Sequence, residues 1–185
     1  MKKILGLVIG LVLVAVAIVA IAQFKTGTSQ PVANKSEVGE NWKQYSSNNI
    51  GFSIKYDSSL IVSEEENNTV RLYKYGPTQR GQTEMYDGII LTVRRVSLTN
   101  SAQSYIDAQM EGFKNDGTIT VPLHDEKLNG ISVKAFSGSG LGDFNLMFVP
   151  VNDQTLLEIS YMAPDPTNAG FQKTVEMMLS TFQLK

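Results

Sequence analysis

Residues 42–62, WKQYSSNNIGFSIKYDSSLIV, decide the fold. From Phe52 the apolar side chains fall at every second position, Phe52, Ile54 and Tyr56, with Ser53, Lys55 and Asp57 between them. That period belongs to a strand with one buried face. Trp42 and Tyr45 precede Ser46-Ser47-Asn48-Asn49, residues that bond their own backbone or tolerate left-handed geometry, so a tight turn is expected to feed the Phe52 strand. Strand positions favour aromatics for burial alone, and Trp42, the single tryptophan, reads as an anchor at the core or its edge rather than a ligand-stacking platform.

A tryptophan and a tyrosine, a short polar turn and then Gly51-Phe52-Ser53-Ile54-Lys55-Tyr56 resemble the opening of PsbP/Mog1-like domains. Met178-Leu179-Ser180-Thr181-Phe182 resembles their last helix and final strand. The resemblance spans residues 42–185. Asp57 and Leu60 stand where bacterial members tend to carry a proline and an aromatic. The resemblance implies a mostly non-catalytic domain whose partner differs from one member to another. Some relatives are associated with manganese or calcium, but no matching ligand set carries over residue by residue.

Lys2 and Lys3 precede an apolar run from Ile4 to Ala22, which as a helix would measure ~28 Å, close to the ~30 Å thickness of a bilayer core. The lysines are expected to stay cytoplasmic, placing the remainder outside. The run is longer than a usual signal core, which favours an uncleaved anchor. Ala20-Ile21-Ala22 nevertheless fits a small-residue cleavage site, after which the domain would be secreted. Residues 23–41 are polar and aperiodic, a flexible linker with a typical span of ~24 Å.

The remaining 42–185 read as one domain. Glu64-Glu65-Glu66 read as a solvated loop, Thr69–Lys74 as a strand and Ile89–Val96 as a central strand. Asn100 or Ser101 is placed to cap a helix, with Gln103 in capping-box position after Asn100. Ala102, Tyr105, Ile106, Met110 and Phe113 recur at helical spacing up to Gly117. Ile119–Val121 reads as a short strand ended by Pro122. Asn129-Gly130 predicts a hairpin between Lys127-Leu128 and Ile131–Phe136, and Phe144/Leu146/Phe148 with Leu157/Ile159/Tyr161 a second. Phe171, Val175, Met178, Leu179 and Phe182 share one face of a last helical segment. The expected class is α+β: a mainly antiparallel sheet packed by two or three helices, preceded by one transmembrane helix.

Chemistry is constrained more sharply. There is no cysteine, so thiol catalysis and thiolate metal sites are excluded. His124 is the only histidine, and with Asp125 and Glu126 it reads as a solvated loop rather than a metal site, because stable sites gather ligands from separate segments. Gly138-Ser139-Gly140-Leu141-Gly142-Asp143 precedes a strand, not a helix, and so lacks the helix end that holds phosphate. Residues 42–185 hold 12 basic and 16 acidic side chains, a formal charge of −4, which argues against a nucleic-acid partner. No catalytic residue, cofactor or metal ligand is assigned.

The loop from Tyr75 to Gly88 is the candidate recognition segment. Tyr75, Arg80, Met85 and Tyr86 are of types enriched at binding surfaces, with folding back onto the core as the alternative. The functional expectation is a membrane-anchored, extracytoplasmic, non-catalytic binding or scaffold domain with a protein partner in the cell envelope. The alternative is a small-ligand-binding or weakly hydrolytic envelope domain that uses carboxylates.

Overall fold

Gly51, at φ +93°, turns the chain between its first two strands, β1 (Trp42–Ser47) and β2 (Phe52–Asp57). Few side chains accept that left-handed backbone without strain. The turn is tied by the Gly51 N–H to Ser47 O at 3.0 Å and by the Ile50 N–H to Ser47 Oγ at 3.1 Å. These coordinates are a computed structural model that describes residues 41–81, 84–140 and 142–185. The expected anchor (Ile4–Ala22) and nearly all of the linker (23–41) lie outside the described residues. Among those described, no helix is long and apolar enough to cross a membrane.

β3 (Ile61–Glu65), β4 (Thr69–Tyr75) and β5 (Gly88–Ser97) form an antiparallel meander. Helix α1 (Ala102–Asp116) then carries the chain to a second meander, β6 (Thr118–Leu128), β7 (Ile131–Ser139), β8 (Asp143–Asn152) and β9 (Thr155–Met162). Pairing of β9 with β5 joins the two into a seven-stranded sheet of order β3-β4-β5-β9-β8-β7-β6. Helix α2 (Phe171–Leu179) leads to β10 (Gln183–Leu184), which completes a separate three-stranded sheet, β1-β2-β10. The described body is therefore antiparallel in every pairing, with two helices.

Strand alternation divides the large sheet's side chains between two cores. Val70, Leu72, Ile89, Leu91, Val93 and Ile159 point to the side where the small sheet and α2 pack, with Phe52, Ile54, Val175 and Met178 filling the layer. Trp42 packs at its margin, as expected. Phe136, Leu146, Phe148 and Leu156 point the other way and meet Ile106 of α1. Aromatic contacts run through this second core, where Phe113 stacks on Phe144 with ring centroids 3.9 Å apart.

Four local expectations are corrected. Glu64 and Glu65 are not loop residues; they belong to β3, an edge strand whose polar character suits exposure on one side. Asn67 and Asn68, both left-handed, make the turn into β4. Pro122 does not end its strand. β6 runs through it to Leu128, and register shifts on either side of Val121 absorb the missing N–H at a sheet edge. His124, Asp125 and Glu126 thus sit on this edge strand rather than in a loop. Finally, α1 is capped by Ser101, whose Oγ accepts from the Ser104 N–H, so Gln103 has no capping-box role. The Asn129-Gly130 hairpin turn forms as expected, with φ of +45° and +86°.

Candidate functional site

Helix α1 lies over the β5–β9–β8–β7–β6 part of its side of the large sheet; among the described residues no helix lies over β3 and β4. Register places one cross-sheet row there: Ile61 opposite Tyr73, Tyr73 opposite Ile90, and Ile90 opposite Met162. A second row runs from Ser63 through Arg71 and Thr92 to Ser160. The result is a trough. Its larger part, about 480 Å³, lies between the C-terminal turn of α1 and the sheet, and is bordered by Met85, Ile90, Phe113, Phe144 and Met162. Its smaller part, about 400 Å³, continues over Arg71, Tyr73 and Tyr75. Glu84, Met85, Ile90 and Met162 belong to both.

Small residues shape the inner end. A Cβ on Gly138 would fall on the Phe144 ring, so glycine there lets that ring lie over the backbone. Gly138 and Ser139 end β7, and beyond them the Gly140 N–H bonds Gly142 O at 3.1 Å before Asp143 opens β8. Leu141 lies outside the described residues.

Glu158 lines one wall of the larger part and is the member of a linked polar trio that reaches it. Glu158 Oε1 accepts from Arg94 Nη2 at 2.9 Å, and Glu158 Oε2 accepts from the Tyr105 hydroxyl at 2.6 Å. Arg94 Nη2 also donates to the Tyr105 oxygen at 2.8 Å. Burial and the bond to Glu158 push the Tyr105 hydroxyl up to about 12. Both carboxylate oxygens of Glu158 are thus engaged by neighbours, which suits a clamp between α1 and the sheet more than a group available for proton transfer.

The 75–88 loop is folded around Asp87, which is fully buried. Its Oδ2 accepts from the Thr78 N–H at 2.8 Å and the Thr78 hydroxyl at 2.7 Å. Gln79 Oε1 accepts from the N–H groups of Tyr86 and Asp87, both at 3.0 Å. This framework separates the four residues singled out in the sequence. Tyr75 and Met85 border the trough. The Tyr86 hydroxyl turns back to donate to Thr78 O at 2.6 Å, although the ring stays 39 % exposed. Arg80 is exposed and borders neither part of the trough.

Sequence reading missed Ile90, Phe113, Asp116 and Met162 as neighbours, because they come from β5, β9 and α1, which only the β5–β9 pairing and the packing of α1 on β8 bring together. Asp116 had one local signal, its place just before the helix-ending Gly117. His124 Nε2 lies 3.6 Å from Glu126, and Asp125 pairs with Lys134 at 2.9 Å. No cluster of three or more potential metal ligands occurs among the described residues.

No family model matches the chain, and no curated protein matches its sequence. The chain is similar in structure to a protein from Bacteroides thetaiotaomicron VPI-5482, at 13 % identity and a TM-score of 0.42, over 78 % of this chain and 49 % of that one. It therefore spans about half the length of that protein. It is also similar to the solution structure of cyanobacterial PsbP (CyanoP) from Synechocystis sp. PCC 6803, with a TM-score of 0.51 and 10 % identity, over 84 % of this chain and 100 % of that chain. The antiparallel sheet with two helices is accordingly a PsbP-like α+β fold.

Proposed function

We propose that this chain is a membrane-anchored, extracytoplasmic binding module, a non-catalytic accessory subunit of a cell-envelope assembly. One observation carries the reading: aromatic, methionine and aliphatic side chains form a trough beside α1 that no element among the described residues covers. Such surfaces mark interaction sites when they are contiguous and polar-rimmed. The likeness to cyanobacterial PsbP adds a fold compatible with this role. Tethering rests on the Ile4–Ala22 run and its two preceding lysines, with residues 23–41 as the spacer.

The test is site-specific photo-crosslinking of the full chain in intact cells, from Tyr75 and Met85, with Val121 on the distant β6 edge as control. The reading expects the same envelope protein to be captured from Tyr75 and Met85 but not from Val121. Identical capture from all three, or none, would count against it. A carboxylate-dependent ligand-binding or hydrolytic role has one observation in its favour, the presence of Glu84, Asp116 and Glu158 around one groove. Full engagement of Glu158 by Arg94 and Tyr105 weighs against it.

A further inference from the structure

We propose that the trough takes an extended peptide segment of a partner protein in which apolar side chains are interleaved with lysine or arginine. This rests on the binding-module reading and adds the chemistry of the occupant. The shape argument comes from the sheet. The lining residues lie on β3, β4, β5, β9 and β8, so the trough crosses four strand spacings, or ~19 Å at ~4.8 Å each. An extended chain advances ~3.3 Å per residue, so about six residues fill that length.

The charge argument comes from the rim. Glu84 and Asp116 are exposed, and neither has an ion-pair partner among the described residues. No lysine or arginine borders the larger part. In the smaller, more polar part Arg71 is neutralised by Glu65 at 3.0 Å. The trough therefore presents net negative charge around a floor that is apolar in its larger part. That combination attracts a cationic, apolar segment and repels anionic lipid headgroups and nucleic acid. Met85 and Met162 flank the floor, and unbranched thioethers adapt to differing apolar side chains.

The full chain in phosphatidylcholine nanodiscs would be titrated against a fluorescein-labelled, N-acetylated hexapeptide of alternating leucine and lysine, with empty nanodiscs subtracting lipid partition. Alternating leucine–glutamate and serine–lysine hexapeptides serve as comparators. Saturable binding of the leucine–lysine peptide alone is expected, weakening as salt rises. The double variant Glu84→Lys/Asp116→Lys should weaken it about tenfold, with thermal stability retained because both positions are exposed. Equal binding of either comparator, no effect of the double variant, or no saturable binding at all would overturn the proposal. So would self-association of the full chain that the double variant abolishes, because the occupant would then be a second copy. If crosslinks from Met85 persist in cells while the hexapeptide fails, the peptide chemistry falls and the binding module stands; loss of both removes both.

Discussion

Phe52 of β2 and Phe182, just beyond α2, stack with ring centroids 5.6 Å apart and planes 14° from parallel, and neither ring touches solvent. The contact joins the first hairpin of the domain to its last residues. Two further bonds close the same seam: Asn129 Nδ2 donates to Phe182 O at 2.9 Å, and the Lys185 N–H donates to Gly51 O at 3.0 Å. Phe182→Ala should therefore lower unfolding free energy by about 3–5 kcal/mol, through lost burial and the cavity left behind. Phe182→Leu, which refills most of the volume, should cost less. Urea denaturation of both variants measures this; a loss below about 1 kcal/mol for the alanine variant would mean the two sheets do not depend on this stack.

The candidate recognition loop is held from inside by Asp87. Asp87→Ala removes two charge-assisted bonds that the buried carboxylate accepts from the exposed Thr78, an expected cost of about 1.5–3 kcal/mol. Gly76→Ala should act on the same point, because a Cβ there would collide with the Asp87 carboxylate. Hydrogen exchange should show faster amide exchange at Thr78 and Tyr86 in both variants, with core amides such as Leu91 little changed. Unaltered loop protection would show that Gln79 and Tyr86 suffice to hold it.

Local chemistry made part of this architecture legible. The alternation through Phe52, Ile54 and Tyr56, the Asn129-Gly130 turn and the helix running to Gly117 each follow from bonds made within a few residues. The edge strands were hidden for a physical reason: β3 and β6 bury little, so Glu64, Glu65 and the His124–Lys127 run carry no apolar period to read. The trough was hidden for another. Ile90 and Met162 are neighbours only because β9 inserts between β5 and β8, a pairing across more than sixty residues that neither strand encodes locally.

Two tyrosines predict an alkaline limb in stability. Tyr45 is raised to about 12 by burial and by its bond to Glu64 at 2.8 Å, which ties the small sheet to β3. Tyr105 is raised to about 12 by burial and by Glu158. A phenol harder to ionise in the folded chain than in the unfolded one stabilises fully below the unfolded value, 10.0. That contribution disappears as pH rises through about 12. Tyr161 is also raised, by burial, so absorbance titration at the tyrosinate band should find late-titrating groups that include Tyr161 beside Tyr45 and Tyr105, and Tyr105→Phe should remove one of them and flatten the stability loss above pH 10. Titration of every tyrosine near 10 would contradict the clamp between α1 and the sheet.

Asp165 predicts the acid limb. Gly170 occupies the cap position of α2 and has no side chain to offer, so Asp165 supplies the cap from five residues upstream. It accepts from the N–H groups of Ala169, Gly170 and Phe171 at 2.6, 2.7 and 3.1 Å. Desolvation pushes its carboxyl up, but these three donors outweigh that and hold it below the ordinary carboxylate range. Asp57 is lowered too, chiefly by hydrogen bonding from Ser59. A depressed carboxyl stabilises fully above its unfolded value of about 4, and the contribution is lost as pH falls through the lower folded value. Thermal melts from pH 7 to pH 2 should therefore show Tm falling below about pH 4 in the native chain. Asp165→Ala should begin lower at neutral pH, with α2 fraying at its first turn, and should fall less steeply in acid. Parallel curves for the two proteins would mean that the ionised Asp165 carboxylate does not stabilise the start of α2.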